Sequence, residues 1–589
     1  MCPLTRTDSA RRPVDIVVLG VILAFGVLQF CFCDRAADFL HEDVFFADAA
    51  RSLQHGFYGI DGHPETNQPP GLSAILAILF LASGASHALS LRAMVVFETL
   101  GFMASYELLR RYAPRIVAAG ICLLLISSEP YFAFATRYVF PCYPYFFTTM
   151  TALLVARRLE NAGSTRARIA WAGLMAALCA VSLMIASAAI ALLGALAVWS
   201  GVTFFRDRRL AVARLRPSLV VLLLGTAVQG LWMHRDAAPL EWPIAGYPRP
   251  YLSQLMVKDG NDPELGMATL LDIPVRVAKN AIDDSALLSQ LLVHRWFNDA
   301  WISVATLGPL LLILLGWGST IWRTGGSLHD WYFAGYELIY LLWPWRLEPR
   351  FFFPIAPLAC LYLWSGLKAL GFLAIQKPRL LGAVWLPASA TLTISAWYWT
   401  NAHRGLQGEL SILAWVVSGL VAAGMVWRGG DWLAQRAAAL RIRPLRVSQQ
   451  FVGVAGIGVI ITGLAQQLAV GRDNLSLNSV VNAVPADAKA GMWIAAHTDS
   501  NAVIMARHVP TAYHFSGRRV VWFPPSSNPQ LLIEGIRRLK VDYVVVVHRE
   551  DSYYMPPDDY CFARLLAAYP DAFGLVFQTP QFRVFLVRH

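Results

Sequence analysis

Residues 41–71, HEDVFFADAARSLQHGFYGIDGHPETNQPPG, carry two adjacent carboxylates, Glu42 and Asp43, and close on a Pro-Pro-Gly return. The segment is polar, yet it lies between apolar runs at 14–33 and from 70 onward. A carboxylate held there can take the proton of a hydroxyl or amide that attacks an anomeric carbon. Glu42 and Asp43 are the candidates for that base. They read equally as an acidic helix N-terminus, which the helix dipole favours. Tyr58 and Gln68 follow in the same segment as weaker candidates for substrate contact. Arg346 and Arg350 stand at the head of a later apolar stretch, where a guanidinium fork can hold a lipid phosphate and stabilise its charge as it leaves. The competing reading is two arginines snorkelling to the interface. His294 and Arg295 are weaker candidates still, and a solvated face competes with them.

The elements that must position these residues are set by composition. The chain has 589 residues, 56% of them hydrophobic and only 15% charged, with a mean hydropathy of +0.48. So little charge at this size places most of the chain in lipid. Residues 14–33 are uncharged after Asp15 and long enough to cross a hydrocarbon core. Arg6, Arg11 and Arg12 before them put the N-terminus on the cytoplasmic side. The run is long and lacks an A-x-A site, so it reads as an uncleaved anchor. Further apolar segments lie near 70–84, 92–109, 114–128, 139–157, 168–183, 187–205, 217–234, 300–322, 331–345, 351–372, 380–398, 409–427 and 451–470. Basic loops at 110–115, 156–168, 206–216 and 427–446 mark the cytoplasmic face. Counting from them conflicts by one crossing. The segment at 70–84 is the shortest and the expected partial span, although 168–205 is also hard to divide. About thirteen spans remain, with the termini on opposite sides.

Several function classes are excluded or weakened. The net charge of +11 comes from arginines in short loops, which is topology and contact with anionic membrane lipids rather than a nucleic-acid surface. The eight cysteines lie mostly inside apolar segments and form no C-x-x-C pair, so neither a disulfide framework nor a zinc site is supported. No phosphate-cradling glycine loop occurs, which argues against an ATP-driven pump and a soluble nucleotide-sugar donor. No D-x-D occurs in the first polar loop, so dependence on a divalent cation is open and no metal ligand is assigned.

After residue 470 the composition changes. Segments 502–505, 520–523, 541–547 and 582–587 read as short buried strands, and 529–540 and 558–569 as helices between them. This alternation predicts a soluble α/β domain over 471–589. It carries no acid–base or nucleophile set and reads as a structural or acceptor-facing cap. The loop at 236–299 is too long for a plain connector. Residues 270–296 within it have helical apolar spacing and can lie along the membrane surface. Glu98 and Glu337 sit inside apolar segments, where an acid marks function or a paired structural contact; the paired contact is the favoured reading.

Three motifs carry a resemblance. Glu42-Asp43-Val44-Phe45-Phe46-Ala47-Asp48-Ala49-Ala50-Arg51 is similar to an acidic pair followed by an aromatic, an Ala-rich turn and Arg. Gly56-Phe57-Tyr58-Gly59 and Gln68-Pro69-Pro70-Gly71 resemble a Gly-Tyr-Gly turn and a Pro-Pro return. Arg350-Phe351-Phe352-Phe353-Pro354-Ile355-Ala356-Pro357 resembles R-Y-x-x-P-x-x-P at the head of a span. In this order the chain resembles the type C glycosyltransferases, in the branch of the protein O-mannosyltransferases and lipid A aminoarabinose transferases. It departs from that pattern at Glu42, where Asp is usual, at Phe46, where Tyr is usual, and at Gln68, where Lys is usual.

The resemblance implies a polytopic α-helical membrane protein of about thirteen transmembrane helices with a C-terminal periplasmic α/β domain. Residues 1–470 would form the transferase part, with outer loops at 34–69 and 236–299. It implies a bacterial inner membrane, a polyprenyl-phosphate sugar donor, and a lipid, glycan or protein acceptor. The single leaving phosphate fits an inverting displacement. A transporter or flippase of lipid-linked sugars is the rival; it would show an internal repeat and polar broken helices at the midplane. A non-catalytic sensor would not need the Pro-Pro return. The distribution of arginine predicts residues 34–69, 236–299 and 471–589 outside and 206–216 and 428–450 inside. Single cysteines labelled from outside in intact cells check this, and labelling at 206–216 would overturn it.

Overall fold

The structure is a computed structural model. It describes residues 13–34, 38–40, 43–60, 63–64, 68–206, 219–231, 255–293, 300–345, 348–376, 463–476, 484–549 and 555–589. Glu42, His294, Arg295 and Arg346 lie outside these residues, as do the apolar segments at 380–398 and 409–427 and most of the basic loops at 206–216 and 427–446.

Apolar runs become helices because in lipid every backbone N–H and C=O needs an internal partner. In chain order the helices are α1 (Pro13–Cys31), the polar α2 (Asp43–Gln54), α3 (Gly71–Ser83), α4 (His87–Leu109), α5 (Arg115–Ile126), α6 (Glu129–Arg137), α7 (Cys142–Glu160), α8 (Thr165–Ile185) and α9 (Ile190–Arg206). A short hairpin, β1 (Gly59–Ile60) with β2 (His63–Pro64), follows α2. Beyond them lie Leu219–Leu231, Asp272–Val293, Ala300–Thr324, Leu328–Leu341, Pro349–Phe352, Ala356–Gln376 and a helix over 463–475.

Among the described residues four helices are long and apolar enough to cross a membrane, and α5 with α6, bent by 51° at their break, makes a fifth. The chain is a multi-pass membrane protein. The region 168–205, hard to divide by hydropathy, is split at Ala186 by a one-turn 3₁₀ helix, Ser187–Ala189. The segment at 70–84 forms a helix of only 13 residues, too short to span, in line with its expected partial crossing.

Charges inside this helical part are answered by partners. Asp15 near the start of α1 accepts from Tyr106 at 2.6 Å and lies 3.1 Å from Arg115 Nε and 3.5 Å from Arg110 Nη1. Arginines at and after the end of α4 thus neutralise a buried acid. Glu98 receives Gln29 Nε2 at 3.5 Å, the paired contact expected of it. Gln29 also donates to the Ile126 carbonyl at the α5–α6 break, where Gln467 donates at 2.7 Å.

The helix Asp272–Val293 matches the span read from 270–296 and caps the end of Leu328–Leu341. Asn280 Nδ2 donates to the carbonyls of Tyr340, Leu341 and Trp343, and Arg276 to that of Leu342. Its Asp284 carboxyl meets Glu337 of Leu328–Leu341, so Glu337 too has a side-chain partner.

The C-terminal part is an α/β layer of five strands, ordered β4-β3-β5-β7-β6. β3 (Val503–Ala506), β4 (Arg519–Trp522) and β5 (Tyr543–Val547) are parallel, and β6 (Phe573–Gln578) and β7 (Phe582–Val587) form an antiparallel hairpin at the edge. The runs read as strands at 502–505, 520–523, 541–547 and 582–587 each overlap one. β6 escaped the sequence reading because only Phe573 along it is fully buried, which leaves it a weak apolar signal. The helices Ala486–His497 and Val509–Ser516 were also not read, the second being only eight residues long.

Gly71 shows why the return ends in glycine. A Cβ there would lie 2.5 Å from the Met184 carbonyl oxygen, so α3 starts in backbone contact with the end of α8. Gly71→Val should therefore destabilise by about 1–3 kcal/mol, the usual cost of overpacking. Thermal unfolding in detergent measures this, with Gly120→Ala as the control, since nothing lies within 4 Å of a Cβ at Gly120. Equal midpoints for the two variants would refute the close-contact reading.

Candidate active site

The acidic segment folds as α2. Asp43 sits in its first turn, and Val44, Ala47 and Ala50 bury one face. The helix ends in a Schellman motif: Phe57 N–H donates to the Ser52 carbonyl and Gly56 N–H to that of Leu53, with Gly56 at φ +80°. Gln54 Nε2 donates to the Ala77 carbonyl of α3 at 3.1 Å. The loop returns through the β1–β2 hairpin.

Tyr58, a candidate for substrate contact, is 4% exposed, and its hydroxyl donates to the Gln68 carbonyl at 2.7 Å. Tyr58 and Gln68 are thus brought together, with the phenol tying the return shut and the Gln68 side chain left exposed. The following Pro-Pro-Gly starts α3.

Asp43 is fully buried. Its Oδ2 lies 3.3 Å from His87 Nε2, at the first residue of α4. The His87 ring also meets Phe39 edge-on, with centroids 4.9 Å apart. The sequence reading did not single out His87. It stands 44 positions from Asp43 in an apolar stretch, and nothing local couples the two.

Arg350 lies in the short helix Pro349–Phe352. Its Nε is 2.9 Å from Glu348 Oε2, and its guanidinium covers the Phe140 ring at 4.3 Å. The turn is held by two tyrosines: Tyr336 donates to the Phe351 carbonyl and Tyr131 to that of Phe353, each at 2.6 Å. These bonds satisfy backbone carbonyls that the proline-broken turn leaves without helical partners.

Tyr138 joins the acidic loop to the arginine turn. Its ring stacks on Phe140, with centroids 5.5 Å apart, and Phe140 also takes the cation–π contact of Arg350. Its phenol interacts electrostatically with Asp43, Asp34, Glu348 and Arg137. Tyr138 thus lies within electrostatic reach of two first-loop carboxylates and shares Phe140 as a ring neighbour with Arg350. Arg137 is itself oriented by Asn474 at 2.7 Å and Asp473 at 3.1 Å.

A second polar cluster packs against α2 through Asp48 and Arg51. His514 of the α/β unit lies with Nδ1 2.9 Å from Asp48 Oδ1 and Nε2 3.2 Å from Asp38 Oδ2. Arg51 donates to Asp48 Oδ1 at 2.7 Å. No sequence signal links positions 48 and 514, which meet only through the fold. Among the described residues no three His, Cys, Asp or Glu side chains could hold a metal ion. Asp38 and Asp48 flank opposite ring nitrogens and do not converge.

A scan against protein-family models and a search of curated proteins each gave no match. Solved structures do match. ArnT from Cupriavidus metallidurans, crystallised with undecaprenyl phosphate, is 15% identical, with 97% of each chain covered and a TM-score of 0.51. The same protein in its apo state gives 15%, 97% of each chain and 0.48. The Archaeoglobus fulgidus oligosaccharyltransferase gives 12%, 90% of this chain and 68% of that one, and 0.43. Over 97% of its length the chain shares the fold of the ArnT structure.

Proposed function

We propose that the chain is a membrane glycosyltransferase. It moves a sugar from a polyprenyl-phosphate donor to a lipid, glycan or protein acceptor. The donor assignment is supported by the undecaprenyl phosphate bound to the ArnT structure whose fold the chain shares over 97% of its length. The observation that carries the reading is at Tyr138, whose phenol is within electrostatic reach of Asp43 and Asp34 and whose ring stacks on Phe140, the ring that Arg350 covers. Proton removal and stabilisation of a leaving phosphate need this pairing of opposite charges around one space. The reaction would run at the periplasmic face of a bacterial inner membrane. There the C-terminal α/β unit lies over the site.

In this scheme Glu42 or Asp43 takes the acceptor proton as the acceptor attacks the anomeric carbon. The bond to the donor phosphate breaks with inversion, and the phosphate carries the electron pair away. Arg350 balances that charge, and Arg346, four positions earlier in the sequence, is the second candidate for it. His87 orients Asp43. A flippase would need the same lipid contacts but no base, so the acids decide between the two readings.

Glu42→Gln and Asp43→Asn remove basicity and keep shape. One of them should lower turnover by about 10²–10⁴-fold, the usual loss of a general base. The assay is transfer from a purified polyprenyl-phosphate sugar in nanodiscs, at normal protein level and insertion. Near wild-type turnover in both variants and in the double variant would make the loop structural and leave the flippase reading ahead.

Arg350 gives a separate check. Arg350→Ala should weaken donor use more than Arg350→Lys, because Lys keeps the charge toward Glu348 and loses the planar fork over Phe140. Donor titration of both variants measures this. Unchanged donor affinity in both would reduce Arg350 to a structural anchor.

A further inference from the structure

We propose that His514 is a positioning residue: a cation supplied by the C-terminal α/β unit that clamps the acidic helix α2 where transfer needs it. The proposal rests on the reading of α2 as the acid-bearing element of a sugar transferase. The clamp itself stands on geometry.

The His514 side chain is 5% exposed and sits between two carboxylates. Nδ1 faces Asp48 at 2.9 and 3.1 Å, and Nε2 faces Asp38 at 3.2 Å. Ionised carboxylates only accept hydrogen bonds, and an imidazole donates from both nitrogens only as the imidazolium. The geometry therefore calls for a charged ring.

The charges around it agree. Asp38 faces it from the segment 38–40 and Asp48 from α2. Arg51, also on α2, donates to the same Asp48 oxygen and lies 3.3 Å from Nδ1. On its own helix the neighbour is the uncharged Phe515 ring, edge-on at 4.8 Å. Two carboxylates and two cations cancel only while His514 is protonated. Deprotonation leaves one excess negative charge and points a ring lone pair at a carboxylate.

Burial pulls the imidazole down, but the hydrogen bonds and charges of Asp38 and Asp48 outweigh it and push His514 up to about 9. Against the desolvation of its own burial, Asp38 is held below its ordinary range by His514, the Phe39 N–H and Arg51. A group raised above its unfolded value of 6.5 contributes fully below that pH, and the contribution is lost as pH rises through about 9.

The clamp closes the site from outside. α2 bears Asp43 at its start and Asp48 with Arg51 further along, so releasing His514 frees the middle of the helix. A positioning role then lowers kcat and leaves the donor KM unchanged, because the phosphate contacts lie at the Arg350 turn.

The test uses the full chain in nanodiscs from pH 6.5 to 10, as wild type, His514→Gln, His514→Arg and Asp38→Asn. Hydrogen exchange of the Asp43–Gln54 amides, corrected for intrinsic rates, reads helix placement. Sugar transfer reads its consequence. Expected are wild-type protection that falls as pH passes about 9, and protection at pH 7 lower in His514→Gln by about tenfold, the effect of one charge-assisted bond. His514→Arg, always charged, should keep protection at pH 10. If His514→Gln does not insert, Asp38→Asn removes one of the two bonds from the loop side and should show the same loss in smaller measure. Equal protection in wild type and His514→Gln at pH 7, or an alkaline loss that persists in His514→Gln, would overturn the clamp. If the wild type transfers no sugar, the proposed function falls, and the exchange data still decide the clamp.

Discussion

A helix of twelve residues is marginal in water, because nucleation fixes several residues for each early hydrogen bond. α2 has that length and bears Asp43 and Asp48. Its position therefore depends on polar contacts at both ends, each drawn from a remote part of the chain. His87 meets Asp43 at its start, Gln54 reaches α3 at its end, and His514 with Arg51 holds Asp48 between them. The small residues Ala47, Ala49 and Ala50 let the buried face approach its neighbours closely. Remove the contacts and the helix keeps its pattern but loses its address.

The same logic governs the helical bundle beneath. An unpaired charge in a low-dielectric interior costs several kcal/mol, and each buried charge discussed above has a partner from another helix. Asp15 is met by Tyr106, Arg110 and Arg115, and Glu98 by Gln29. The free carbonyls at the end of Leu328–Leu341 are covered by Arg276 and Asn280 of the long loop. That loop is therefore part of the scaffold. Its helix satisfies backbone groups that hydrocarbon could not.

What the sequence made legible follows from range. Apolar runs, the α/β alternation and the helix at 270–296 are local patterns, and among the described residues the structure carries them. The Pro-Pro-Gly return was visible as a motif, but its reason, the contact of Gly71 with Met184, needed the fold. Tyr58 illustrates a different difficulty. An aromatic in a polar loop suggests a ligand, and here its hydroxyl closes the loop on Gln68. His87, Tyr138 and His514 were missed because their meaning lies in pairings over tens to hundreds of positions. A lone histidine or tyrosine in such surroundings carries no local signal. The charge-bearing sequence between 41 and 51 showed the acids, but not which of them faces another group.

The way the α/β unit is seated adds a last constraint. Beside His514, its contacts with the long loop include Ser526 and Ser527 on Glu264, and Met555 N–H on the Asn261 carbonyl. Phe515 adds apolar contact with the membrane part. The named bonds in this seat are polar, and polar bonds exchange with water at small net free energy. Such an interface fixes orientation more than it adds stability, as interfaces between domains of one chain commonly do. A roof held this way can set the register of α2 through a few directional bonds. An apolar seat of equal area would bind more tightly but would leave the angle of the helix less defined, since apolar contact has no direction.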